Sequence, residues 1–111
     1  MTFTYTLTDA VKVAAEHPDT FGVPSASELA VLKAGDMVKL IFEPPKALTR
    51  PRLGNKRMMA ERMWVRVSTV TPDGCTGTLC NHPISLPLEP GDRVEFKLHN
   101  IIDLIDKEGD K

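Results

Sequence analysis

Aromatic residues are scarce in this chain, which has one Trp, one Tyr and four Phe among 111 residues. Proteins that bind single-stranded nucleic acid without sequence preference stack the bases on several exposed aromatic rings, and this composition gives that class little support. Net charge is also nearly absent, because 14 basic residues face 15 acidic ones. No overall field therefore draws the molecule to nucleic acid or to a membrane surface, and any such attraction must be local.

Long apolar runs are missing as well. No stretch approaches the roughly 20 apolar residues that a membrane-spanning helix needs. The first six residues, Met1 to Thr6, lack the basic start and the apolar run of a secretory signal. We therefore expect a cytoplasmic protein with no membrane partner.

Only two cysteines occur, Cys75 and Cys80. Their spacing places them on opposite faces of a regular strand, which argues against a disulfide between them. Together with His82 they form a set of three without a recognised zinc spacing and without a fourth ligand. We expect no metal and no cofactor, and we interpret the cysteines as small apolar side chains.

One phrase is written twice, at residues 32–40 and 88–96, and both copies read L-x-x-G-D-x-V-x-apolar. Gly35 and Gly91 fit a sharp turn with a positive backbone angle, and the aspartates that follow them suit hydrogen bonds to the amides of that turn. Alternating apolar residues after each turn predict a strand with one face in a core. Such Gly-Asp corners are typical of a small, curled antiparallel sheet.

The remaining pattern predicts α+β structure in which the β part dominates. The expected elements are an extended arm at 2–8, a helix at 9–16 capped by Thr8, a helical start at Ser25, strands at 37–43, 61–71 and 75–81, an extended piece at 84–88, a strand from the second Gly-Asp corner to about Leu98, and a helical turn at 101–106. Gly77 inside a strand suggests a bend or a close backbone approach. We predict one domain over 1–111: a helical extension at 1–30 and, at 31–106, a small SH3-like antiparallel barrel of about five strands that ends in a short helical turn.

The periodic pattern lapses at residues 44–60, which we name the basic loop. Loops of this length in compact domains are usually functional or disordered. From Pro44 to Arg66 the chain carries a local charge of +6, and the rest carries −7. The basic residues of this stretch are Lys46, Arg50, Arg52, Lys56, Arg57, Arg62 and Arg66.

Trp64 is out of phase with the apolar positions of its strand and shares a face with Arg66 and Ser68. An exposed Trp beside arginines is typical of a protein interface. The alternatives are that the strand is buried on both faces or that the N-terminal helix covers Trp64, since large aromatic residues are mostly buried.

Several short motifs occur in order over residues 17–103. They are Glu61-Arg-Met-Trp64-Val65-x-Val67, Gly77-x-Leu79-x-Asn81-x-Pro83, Gly91-Asp92-x-Val94-x-Phe96, Asn100-Ile101-x-Asp103 and, upstream, His17-Pro-x-Thr20-Phe21-x-x-Pro24-Ser25 and Gly35-Asp36-x-Val38-Lys39-Leu40-x-Phe42. In these the chain resembles the YegJ-type family of uncharacterised bacterial small domains. The resemblance implies a bacterial cytoplasmic domain without an established activity, and it provides no catalytic or binding residues. The basic loop has no counterpart in it.

Catalytic motifs are not evident. The three histidines, His17, His82 and His99, are scattered and none lies beside a nucleophile in a known arrangement. We therefore expect no enzymatic activity and interpret the chain as an interaction module for a protein partner. The expected contact residues are Lys46, Arg50, Arg52, Lys56, Arg57, Trp64 and Arg66.

Two other interpretations of the basic loop stay open. It can bind nucleic acid weakly through phosphate contacts, or it can be a solvated loop that balances an acidic body. The expected oligomeric state is a monomer or a weak dimer, because exposed edge strands permit dimerisation by strand addition.

Overall fold

The structure is a computed structural model and describes residues 4–46 and 58–105. The elements in chain order are β1 (Thr6–Leu7), α1 (Ala10–Glu16), α2 (Ala26–Ala30), β2 (Met37–Glu43), β3 (Glu61–Thr71), β4 (Gly74–Leu79), β5 (Arg93–Phe96), a 3-10 turn (Leu98–Asn100) and β6 (Ile101–Ile105). The mainly β fold class is confirmed. No helix within the described ranges is long and apolar enough to cross a membrane.

All strand pairs are antiparallel and form one half-barrel sheet. β3, β4 and β5 follow β2 in order on one side. On its other edge, β2 pairs with β1 near its C-terminal end and with β6 along its N-terminal half. The strand order therefore leaves β5 at one end of the sheet and β1 with β6 at the other.

Period-two alternation along β2 to β5 builds the core, as the sequence predicts. Both valines that follow the Gly-Asp corners, Val38 and Val94, are buried. The side chains that share their face are Leu40, Phe42, Met63, Val65, Val67, Cys75, Leu79 and Phe96. Leu86 and Ile101 add to this core from outside these strands.

The first Gly-Asp corner is tied to β3 by its backbone. Gly35 has a φ of 97°, which favours glycine. Its N–H donates to the carbonyl of Val67 at 2.8 Å, and the N–H of Val67 donates to the carbonyl of Asp36 at 2.8 Å. The Asp36 carboxylate accepts the N–H of Lys33 at 3.0 Å, which closes the turn.

The second Gly-Asp corner repeats this arrangement on β4. Gly91 has a φ of 99°, its N–H donates to the carbonyl of Leu79 at 2.8 Å, and the N–H of Leu79 donates to the carbonyl of Asp92 at 2.9 Å. The Asp92 carboxylate accepts the N–H of Glu89 at 2.9 Å. The duplicated phrase therefore encodes one geometry twice, and the structural role predicted for both aspartates is confirmed.

The predicted helical turn at 101–106 is wrong for residues 101–105. The helical turn lies earlier, at Leu98–Asn100, and Ile101–Ile105 is a strand. Four of the five residues at 101–105 are apolar, so this short segment fits a strand as well as a helical turn, and the edge of β2 offers backbone groups that a strand satisfies. Asn100 fixes the change of direction, since its side chain accepts the N–H of Lys97 and donates to the carbonyl of Thr8.

Helix starts agree with the sequence in one case and differ in the other. At α2 the predicted capping box is present, with Ser25 and Glu28 bonding each other's backbone N–H. At α1 the N-cap is Asp9 rather than Thr8, because the Asp9 carboxylate accepts the N–H of Lys12 at 3.1 Å. The Thr8 hydroxyl instead donates to Glu43, next to the pairing of β1 with β2.

Candidate functional site

The predicted contact residues fall into two groups. Arg50, Arg52, Lys56 and Arg57 lie outside the described residues. The other three are described, and they are Lys46, Trp64 and Arg66. Lys46 is exposed beyond the end of β2, and the last two lie on one face of β3.

The face that carries Trp64 is formed by the outward residues of β2 and β3, which we call the Trp64 face. Its cross-strand pairs are Met37 with Arg66, Lys39 with Trp64, and Ile41 with Arg62. Arg62 and Arg66 are exposed, and the other four residues are half-buried. Placement of Trp64 opposite the core, beside arginines, is confirmed.

Cations lie over two aromatic rings here. The Lys39 Nζ is 5.1 Å from the centroid of the Trp64 ring, and the Arg62 guanidinium carbon is 5.9 Å from that of Phe21. Such contacts are favourable by about 0.5 to 1 kcal/mol at exposed sites. Phe21 belongs to the connection between α1 and α2, so this connection reaches the Trp64 face. Trp64 as a whole is half-buried.

A second structure organises the end of the sheet where the basic loop enters β3. The Glu61 carboxylate accepts the backbone N–H groups of Ile84, Ser85 and Leu86 at 2.7, 2.8 and 3.0 Å. The Ser85 hydroxyl lies 3.2 Å from the same carboxylate. We name this arrangement the Glu61 clamp.

Hydrogen bonding outweighs burial at Glu61. Partial burial by itself raises the pKa of this carboxyl, but the three backbone N–H groups and the Ser85 hydroxyl lower the pKa below its ordinary value. Bonds to the charged form favour that form. Glu61 is therefore a carboxylate at neutral pH, and it fixes the backbone of residues 84–86.

The clamp also holds the end of the basic loop. The Met59 N–H donates to the Ser85 hydroxyl at 3.0 Å, and the hydroxyl lies 3.2 Å from the Met59 carbonyl. Two exposed apolar residues flank these hydrogen bonds: Ile84, before Ser85, is 97% exposed, and Met59 is 55% exposed. We call Met59 and Ile84 the apolar tip.

Sequence reasoning missed the apolar tip. It assigned Ile84 to a short extended piece, and no strand is present there. In the sequence Ile84 alternates with Leu86, which predicts a shared face, but Leu86 is 5% exposed and Ile84 is 97% exposed. The sequence did hold one indication: Glu61 is an acidic residue in phase with the buried residues of β3, and such a residue needs hydrogen-bond donors close to it.

Basic residues precede Met59 along the chain. The basic loop precedes it with five basic residues and no acidic one. Arg62 follows Glu61 in β3 and is exposed on the Trp64 face. An apolar contact flanked by cations is suited to a partner with an apolar pocket and an acidic rim.

The cysteines and acidic groups do not form a reactive cluster. Cys75 is buried and Cys80 is exposed, both as thiols, so their predicted positions on opposite faces are confirmed. Burial raises the pKa of the Cys75 thiol and leaves it unreactive. Among residues 4–46 and 58–105, no three His, Cys, Asp or Glu side chains are placed to hold a metal ion.

No protein-family model, curated protein or solved structure matches this chain. The resemblance to the YegJ-type family stays a prediction.

Proposed function

We propose that this chain is a non-enzymatic interaction module that binds a protein through the apolar tip, the basic loop and the Trp64 face. The observation that carries the proposal is the 97% exposure of Ile84 on a backbone that Glu61 holds with three hydrogen bonds. A mobile apolar side chain must be ordered when it binds, whereas a residue on a fixed backbone loses less entropy.

The partner proposed here has an acidic rim around an apolar pocket. Ile84 supplies the apolar anchor, and the cations are those of the basic loop, which precede Met59 in the chain, and Arg62, which follows Glu61. Rim charges of this kind mainly raise the rate of association, while a buried anchor governs dissociation.

The type of barrel and the family resemblance are compatible with an interaction module. The curved antiparallel sheet suits an SH3-like barrel, and the ordered motifs suit a bacterial cytoplasmic domain of the YegJ type. Small barrels serve many unrelated functions, so the fold by itself selects none of them. The proposal therefore depends on the apolar tip.

The test compares wild type with Ile84→Asp. Immobilised protein is incubated with nuclease-treated lysate of the cells that express it, and a retained protein is then purified and titrated. We expect the substitution to weaken binding at least tenfold, as loss of an interface hot spot does. Its melting temperature should be unchanged, since Ile84 is almost fully exposed.

Val70→Asp is the matched control, because Val70 is 42% exposed on the hairpin of β3 and β4 rather than beside the Glu61 clamp. Equal binding by wild type and Ile84→Asp would refute the proposal. Retention that disappears with nuclease and weakens with salt would instead support the nucleic-acid interpretation of the basic loop.

A further inference from the structure

The outer edge of β5 has no strand partner within the described part of the chain. The inner edge of β5 faces β4. At the end of β4, the Leu79 N–H donates to the carbonyl of Asp92, and the Leu79 carbonyl accepts the N–H of Gly91, just before β5 begins. Backbone groups alternate in direction along a strand, so Gly77 and Cys75 also point toward β5. Their partners there are Val94 and Phe96, which use their backbone groups inside the sheet.

Arg93 and Glu95 therefore direct their N–H and C=O groups away from the sheet. Unpaired groups on an exposed edge are a template for another strand. The template is short, because the next outward N–H, that of Lys97, donates to the Asn100 side chain at 2.8 Å.

Space for an added strand exists beside this edge. An open groove of about 940 Å³ is lined on one side by β1. On the other side it is lined by β5 and by the hairpin that joins β3 to β4. Thr6 and Leu7 line one side, and Arg93 and Glu95 line the other. Tyr5 also lines this groove; burial raises the pKa of its hydroxyl, and the nearby carboxylates of Asp92 and Glu95 raise it further.

The charges along the edge are complementary to themselves. Arg93 and Glu95 are 71% and 73% exposed, and they form an ion pair at 3.3 Å within the chain. When two β5 strands pair in antiparallel fashion about Val94, each Arg93 lies opposite Glu95 of the second copy. Opposite charges in directly facing positions stabilise such a pair.

Hydrogen bonding selects the same register. Arg93 and Glu95 both point their backbone groups outward, so pairing one with the other also satisfies those groups. A shift by two residues in one direction places Arg93 opposite Arg93. A shift in the other direction places Glu95 opposite Glu95, and facing like charges are destabilising.

We propose that two copies of this chain associate through β5, antiparallel and centred on Val94, to form one continuous sheet. The contact is small, and interfaces below about 1,200 Å² are typically weak and transient. Association should therefore depend on protein concentration. It uses a surface separate from the apolar tip, so the proposal is independent of the proposed function.

Charge reversal provides the sharpest test. Sedimentation equilibrium of the full chain from micromolar to millimolar concentration should show the mass rising from 12.3 kDa toward that of a dimer. Arg93→Glu alone and Glu95→Arg alone place like charges opposite each other, and each should associate at least tenfold more weakly. An equimolar mixture of the two variants restores both attractive pairs and should associate at least as well as wild type.

Glu95→Pro tests the backbone without depending on charge. It removes the outward N–H of Glu95 and leaves the bonds between β4 and β5 in place, and we expect a monomer. Glu95→Gln keeps that N–H and is its control, while Ile84→Asp should associate like wild type.

Three results would overturn the proposal: a wild type that stays monomeric at millimolar concentration, a mixture that associates no better than the single variants, or a folded Glu95→Pro that still dimerises. The last result would assign the contact to another surface. Circular dichroism of each variant establishes that it is folded.

Discussion

At Gly77 the backbones of β3 and β4 leave no room for a side chain. A Cβ atom there would lie 2.5 Å from both the Arg66 carbonyl oxygen and the Val65 Cγ1. The sequence predicted a close approach because glycine interrupts a strand at this point, and that prediction is confirmed. The sequence alone could not identify the opposing atoms, which belong to the neighbouring strand β3.

Gly77→Ala should lower the free energy of unfolding by about 1 to 3 kcal/mol, because overpacking shifts the backbone or the neighbouring side chain. Urea denaturation measures the change. Gly22→Ala is the control, since nothing lies within 4 Å of its Cβ position and the expected change is within about 0.5 kcal/mol. Equal transition midpoints for the two variants would contradict the steric explanation.

Glu61→Gln tests the Glu61 clamp through its pH dependence. The pKa of Glu61 is lower in the folded chain than in the unfolded one, so the carboxylate stabilises the fold above the ordinary Glu pKa of about 4.3. That contribution is lost as the pH falls through the lowered value. At pH 7 we expect the variant to be less stable by about 1 to 3 kcal/mol, as for lost hydrogen bonds to a charged group.

The difference between Glu61→Gln and wild type should shrink on acidification, as the pH falls through the lowered pKa of Glu61 and the carboxylate takes up a proton. Thermal denaturation at pH 7 and pH 3 measures it. Glu16→Gln, at the exposed end of α1, is the matched control and should show little difference at either pH. A difference that grows on acidification would show that the carboxylate does not hold the 84–86 backbone.

At the scale of elements, the two Gly-Asp corners are equivalent in bonding but not in burial. Asp36 is 3% exposed and Asp92 is only half-buried. Each carboxylate accepts one N–H that closes its turn. We expect Asp36→Ala and Asp92→Ala each to destabilise the fold by about 0.5 to 2 kcal/mol, with the larger loss at Asp36.

Chemical denaturation of both variants tests this expectation, with Asp19→Ala in the exposed turn after α1 as the control. Unchanged midpoints for both variants would show that the two carboxylates do not stabilise their turns.

Strand bounds were predictable where alternation is long. The ranges 37–43 and 61–71 agree with β2 and β3, because seven and eleven residues of alternation leave little ambiguity. The segment at 101–105 is short and fits either period, so local sequence could not decide it. The edge of β2 decided it, and that edge exists only in the folded sheet.

At the scale of the whole molecule, β6 completes the sheet from the far end of the chain. It covers the N-terminal half of the β2 edge, and Ile101 is 1% exposed. We expect a chain that ends after Asn100 to lose cooperative unfolding, because it exposes the centre of the core and the backbone of β2.

A chain that ends after Ile105 keeps every described element and should unfold cooperatively. Thermal denaturation followed by circular dichroism compares the two chains. Cooperative melting of the shorter chain at the same temperature would show that β6 is dispensable.

The amino-acid sequence by itself determined the strands with long alternation, both Gly-Asp corners, the capping box of α2 and the opposite placement of the two cysteines. Each of these depends on residues that are neighbours along the chain, where sterics and hydrogen bonding act locally. Only the tertiary structure decided that 101–105 is a strand, that Lys39 lies over Trp64, and that Glu61 displays Ile84 in solvent. Those outcomes depend on groups that are distant in sequence and meet only when the sheet has formed.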